Sequence, residues 1–97
     1  MIKFEIILGK AYYKQGFFNI RKKHSEIFGP HLDPIKIFLD ENELDNAYVN
    51  RTANINNTPR IMAGVEMTRW IQENFKEKDI MLVEFDTKKK IITLKNK

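Results

Sequence analysis

Arg51, Asn54, Asn56, Asn57 and Arg60 all fall within the stretch NAYVNRTANINNTPRIMAGV, residues 46–65. Arginine and asparagine share one property, a planar fork of hydrogen-bonding atoms. The guanidinium fork matches O6 and N7 of guanine, and the asparagine amide matches the N6 and N7 edge of adenine. The stretch holds no acidic residue, in a chain that is 31% charged. An acid-free segment with this chemistry suits contact with nucleic-acid bases, Arg51, Asn54, Asn56 and Arg60 being the base readers. Thr52 and Thr58 are suited to phosphates or bases, Thr52 above all to the backbone.

A second acid-free window runs from Ile6 to Ser25. It carries Lys10, Lys14, Arg21, Lys22 and Lys23, which suit phosphate oxygens. Tyr13 and Gln15 are placed to add base contacts, and Tyr12 and Asn19 complete a polar group around Gly16, which is expected to be exposed. Between the two windows lies an acidic patch of Asp33, Asp40, Glu41, Glu43 and Asp45. A protein that lays one face on phosphates keeps acids off that face and places them elsewhere. A plainer reading stands beside this one. Asparagine tolerates left-handed backbone and bonds to its own chain, so Asn57-Thr58-Pro59 is equally a turn signal. Aromatic and amide side chains also suit unpaired RNA bases, so the chemistry leaves RNA open beside duplex DNA.

Catalytic patterns are weaker. His24 and His31 are seven residues apart, with no carboxylate or further histidine at metal-ligand spacing. Ser25 is the only serine, and no G-x-S-x-G surrounds it. Asp86-Thr87-Lys88, with Asp79 as a second ligand, could hold a magnesium ion and orient water, which makes a small metal-dependent nuclease one alternative. Lys89 and Lys90 follow directly, however, and acid with lysines is ordinary hairpin-tip chemistry. Tyr12, Tyr13 and Phe17, if exposed, would form a patch for a protein partner, a second alternative. The residues favour binding without catalysis, cofactor or metal.

These residues need a scaffold. Ninety-seven residues with 42% hydrophobic and 11% aromatic content suffice for one domain, residues 1–97, with a modest core. The chain has a net charge of +4. That mild basic bias is compatible with a polyanion. With no cysteine there is neither a disulfide framework nor a thiolate zinc site. No apolar run is long enough to span a membrane, and Glu5 interrupts the apolar start, so a cytoplasmic protein is expected.

Period-two alternation predicts a strand over KFEIIL (3–8), with Phe4, Ile6 and Leu8 on one side. AYYKQG reads as an exposed link, and FFNI (17–20) as a second strand. RKKHSEIFG reads as a short helix stopped by Gly29-Pro30. IKIFL (35–39) is a buried strand and DENELDN a solvated turn. Strands are expected at 47–49 and 60–62. Met67, Trp70, Ile71 and Phe75 make a helical stripe after Gly64. DIMLVEF and IITL form a hairpin around DTKKK. The expected class is mainly β with two short helices, a partly open, mostly antiparallel pseudobarrel of about seven strands. Crossover helices between successive strands are missing, which argues against a βαβ sheet.

The element order, FFNI, KKHSEIFG, the polar segment and PRIMAGVEMTRWIQENFKEKDIMLVEF together resemble the B3-like DNA-binding pseudobarrel. That fold occurs in plant transcription factors and, more similar here, in recognition domains of bacterial restriction endonucleases. The resemblance implies two arms gripping the DNA major groove, one over Lys10 to Asn19 and one over Asn50 to Arg60. It implies double-stranded DNA as partner, with a nuclease domain or subunit elsewhere. At Lys78-Asp79 the chain departs from the Gly-Asp common in the family.

Overall fold

The computed structural model describes residues 1–95, so Asn96 and Lys97, the end of the expected 1–97 domain, lie outside the described residues. Among the described residues, eight strands form two mostly antiparallel sheets that do not close into a barrel, accompanied by three helical segments. The mainly β class agrees with the expectation, with one more strand and one more helical segment.

The larger sheet has the order β1-β7-β8-β3-β4, formed by β1 (Ile2–Ile7), β7 (Ile80–Asp86), β8 (Ile91–Lys95), β3 (Lys36–Leu39) and β4 (Asn42–Leu44). Pairing is antiparallel except between β3 and β8. Alternation fixes its inner face: Met81, Val83 and Phe85 of β7 are buried while Leu82, Glu84 and Asp86 lie on the other side. The smaller sheet, β2 (Phe17–Asn19), β6 (Arg60–Met62) and β5 (Tyr48–Asn50), runs in the order β2-β6-β5. Its central residues Phe18, Ile61 and Val49 align across the three strands and are buried in the same core as the inner face of the larger sheet. Phe28 closes that core by stacking on Phe85, with ring centroids 4.4 Å apart.

Helix α2 (Val65–Asn74) buries Met67 and Ile71 and leaves Trp70 half-buried against Phe75. Residues 22–27 form a 3-10 turn segment rather than an α-helix. Two further expectations are corrected. The link AYYKQG supplies four of the five residues of a helix, α1 (Lys10–Lys14), and DENELDN contains β4. A five-residue helix is not stable alone. Here Tyr13 Oη donates to the Phe75 carbonyl (3.0 Å) and Gln72 Nε2 to the Tyr13 carbonyl (3.0 Å), so α2 holds α1 in place. Strand β4 follows a two-residue connection in which Asp40 has φ +55°, and only Leu44 of its three residues is buried. Its polar sequence therefore carries little strand signal.

Gly16 is buried, not exposed. Its carbonyl accepts from the Ala63 and Gly64 N–H groups, both at 3.0 Å. Its φ is +67°, and a Cβ there would stand 2.5 Å from the Gly64 carbonyl oxygen, so the contact between α1 and the entrance to α2 requires glycine.

Candidate nucleic-acid interface

The smaller sheet ends in a polar row. Antiparallel register sets Asn19 of β2 and Asn50 of β5 on either side of Arg60 of β6. From that row the 50–59 loop leaves and returns. Asn50 starts it by capping: its Oδ1 accepts from the Thr52 N–H (2.9 Å), the Thr52 hydroxyl (3.2 Å) and the Ala53 N–H (3.0 Å). At the far end the Asn57 N–H donates to the Asn54 carbonyl at 3.3 Å, with Asn57 at φ +57°. The turn thus lies at 54–57, earlier than the expected 57–59, and uses the left-handed tolerance of Asn57.

Asn19 joins the two acid-free windows. Its Oδ1 accepts from Asn54 Nδ2 (3.0 Å) and from Arg60 Nε (3.1 Å). Arg60 Nη2 also reaches Asn54 Oδ1 at 3.4 Å, and its guanidinium carbon stands 4.1 Å above the centre of the Phe17 ring. A guanidinium has five N–H donors, of which these contacts use two, and the cation–π contact engages the face of the plane without consuming an N–H. The second Nδ2 hydrogen of Asn54 goes to the Thr58 carbonyl at 3.2 Å. The Asn54 amide is engaged within the loop.

Arg51 is engaged to a greater degree. Nε donates to the Gly29 carbonyl (2.7 Å), Nη1 to Ser25 Oγ (3.2 Å) and the Asn57 carbonyl (3.0 Å), and Nη2 to the Ser25 (2.9 Å) and Phe28 (2.8 Å) carbonyls. Five acceptors meet five donors, which leaves none for guanine in this conformation. Its main-chain N–H donates to His31 Nδ1 at 3.0 Å. The residue types that suit a base edge equally suit the carbonyls at the end of a 3-10 segment, and composition does not separate the two.

Asn56 is exposed at the loop tip, and Thr52 is exposed beside Asn50. On the other window, Lys10, Lys14, Gln15, Arg21, Lys22 and Lys23 are all exposed, whereas Tyr13 is half-buried against α2. Lys10 and Lys14 are four apart on α1 and share a face. Among the described residues, the ion pairs join Lys3 and Lys95 to Glu84 and Lys36 to Glu43, so none uses the cations of this window. The acids Asp40, Glu41 and Glu43 lie on the β3–β4 hairpin at one edge of the larger sheet, with β1 at the opposite edge.

Two alternatives lose their geometry. Asp79 and Asp86 stand at opposite ends of β7, about 23 Å apart at the usual rise per residue, too far to share one ion. Each instead caps a turn: Asp79 Oδ2 accepts from the Lys76 N–H (2.8 Å), and Asp86 Oδ1 from the Lys88 (3.0 Å) and Lys89 (3.1 Å) N–H groups. These bonds hold the Asp86 carboxyl below its ordinary range, Lys89 contributing most. Among the described residues, no three His, Cys, Asp or Glu side chains gather as a metal site. The proposed aromatic patch is not exposed either: Phe17 is buried, and the Tyr12 hydroxyl accepts from the Asn19 N–H at 3.3 Å. His24, half-buried, stacks on Phe4 at 5.3 Å. Among the described residues no helix is long and apolar enough to cross a membrane.

The molecule is therefore a mainly β protein in which two mostly antiparallel sheets share one core and a braced polar loop stands off the smaller one. Among solved structures, the N-terminal domain of Helicobacter pylori LlaJI.R1 has a similar fold, with a TM-score of 0.68 over 95% of this chain and 77% of that one. At 19% identity the likeness is one of fold. No family model matches the chain, and no curated protein matches it in sequence.

Proposed function

We propose that the chain is a sequence-specific double-stranded DNA-binding domain that reads the major groove with two arms, residues 10–19 and 50–60. The observation that carries this reading is the Asn19 side chain, whose Oδ1 accepts from both Asn54 and Arg60 and so braces the two acid-free windows as one unit. A rigid pair of arms places base-reading forks at a fixed separation, which sequence recognition needs and simple charge attraction does not. The fold likeness to a domain of LlaJI.R1, whose name follows restriction-enzyme nomenclature, supports a role as the recognition domain of a restriction-modification or regulatory protein, with any nuclease in another domain or subunit.

In this reading Asn56, Arg60 and Gln15 touch bases, while Lys10, Lys14, Arg21, Lys22 and Lys23 touch phosphates. Thr52 joins the phosphate contacts by turning its hydroxyl from Asn50. Arg51, Asn54 and Tyr13 act one step back, holding the arms in place through the bonds described above. The whole of 1–97 is one binding domain that works without catalysis or cofactor in the cytoplasm.

Selection from a random duplex pool, followed by sequencing of the retained DNA, tests the proposal. Enrichment of one short motif is expected. Absence of retention at moderate salt, or retention without any motif, overturns it.

A further inference from the structure

Ile55 is fully exposed at the centre of the 50–59 loop, where its neighbours Asn54, Asn56, Asn57 and Thr58 are polar. The loop is not one that leaves an isoleucine in water through slackness. Asn50 caps its start, Asn54 and Asn57 close the turn that carries Ile55 and Asn56, Arg51 Nη1 holds the Asn57 carbonyl at 3.0 Å, and Asn54 is tied to Asn19. The backbone is braced on both sides of the tip, so the side chain is held outward. An isoleucine is also stiff about χ1, and loses little freedom when it touches a surface.

Ile55 and Asn56 occupy the two central positions of this turn. The major-groove edge of an A·T pair offers a matching pair of features: N6 and N7 of adenine for an amide fork, and the 5-methyl group of thymine for an apolar side chain. We propose that Ile55 reads the 5-methyl group of a thymine, beside Asn56 on the adenine of the same or the adjacent A·T pair. The inference rests on the DNA-binding reading above and adds to it the base that the loop tip selects.

The test uses the duplex that the wild-type protein selects from a random pool, remade with deoxyuridine in place of each thymine in turn, which removes one methyl group and leaves base pairing intact. One substitution is expected to weaken wild-type binding by about three- to fivefold, the transfer value of one buried methyl. Ile55→Ala is expected to bind the thymine and uracil duplexes alike, and to bind the uracil duplex about as well as the wild type does. A loop-tip substitution in full solvent leaves the core untouched, and a melting curve for the variant confirms that it folds. Failure to select any motif sinks the DNA-recognition reading itself. Selection of a motif that lacks A·T pairs, equal wild-type binding of every uracil duplex, or an Ile55→Ala variant that still distinguishes thymine from uracil, overturns the role of Ile55 and leaves that reading standing.

Discussion

The Arg51 guanidinium grips both the main chain and the side chain of Ser25, with Nη2 at 2.9 Å from its carbonyl and Nη1 at 3.2 Å from its hydroxyl. Through the same fork it reaches Gly29, Phe28 and Asn57, so the base of the polar loop is fastened to the end of the 3-10 segment. The role is structural before it is anything else. A planar five-donor group is needed because the acceptors converge from several directions, and a lysine ammonium has only three donors about one point.

Arg51→Ala is accordingly expected to lower folding stability by about 2–4 kcal/mol, since half-buried carbonyls lose charged donors and gain no replacement. Arg51→Lys should recover little of it. Urea denaturation gives the stability, and amide hydrogen exchange over residues 50–58 should show lost protection. If Arg51→Ala unfolds at the wild-type urea concentration and yet loses preference at a single base, Arg51 is a reader and the fastening is incidental.

Arg60 and Lys22 should separate base reading from phosphate contact. Arg60→Lys keeps the charge but loses the fork, so preference at one base position should fall by about 1–3 kcal/mol while the dependence of affinity on salt is unchanged. Lys22→Ala should weaken binding to all duplexes alike and flatten the log–log salt slope by about one unit. Titrations of the selected duplex and of single-base variants over a salt series measure both. Equal loss on every duplex for both proteins would remove the proposed division between them.

Much of the scaffold was legible from short-range pattern. The alternation of β1 and β7 and the stripe Met67, Ile71, Phe75 depend on neighbours within one element, and the structure keeps them. Helix α1 was not legible because residues distant in sequence, Phe75 and Gln72, hold it, and strand β4 was not because only Leu44 of its three residues is buried, which leaves no alternation to read. At the site, the windows were visible as composition, but the division of labour within them was not. That division depends on the register of β2 against β6, which brings Asn19 opposite Arg60, residues 41 apart in sequence. Ile55 carried one signal, an apolar β-branched side chain alone in a polar run, which the pattern of forks around it masked.

Lys78 occupies a position of φ +77°, the left-handed region, in the turn between α2 and β7. Its N–H donates to the Leu8 carbonyl at 2.7 Å, and Asp79 Oδ2 closes the turn on the Lys76 N–H, so the conformation is imposed from both sides. A residue with a Cβ is strained here by about 1–2 kcal/mol, and the greater freedom of glycine in the unfolded chain offsets about half of the relief. Lys78→Gly should therefore stabilise the protein by about 0.5–1 kcal/mol, seen as a raised urea midpoint with an unchanged slope. A lowered midpoint would show that the turn adopts another conformation in solution.

Glu84 lies on β7 between Lys95 at 3.1 Å and Lys3 at 3.6 Å, with its side chain 12% exposed. The hydrogen bond from Lys95 is the largest influence holding its carboxyl below the ordinary range, and the Lys3 charge adds to it. A carboxylate whose folded pKa is depressed binds protons more readily in the unfolded chain. Its stabilisation is therefore complete above the unfolded pKa and disappears as pH falls through the folded one. The thermal midpoint should fall on acidification from about pH 5 downward, and Glu84→Gln, which has no proton to bind there, should show a shallower fall. Because Lys95 on β8 and Lys3 on β1 flank the same carboxylate, Lys95→Met should reproduce most of that flattening and Lys3→Met less of it. Parallel pH profiles for wild type and Glu84→Gln would assign the acid sensitivity to other carboxylates, Asp86 first among them.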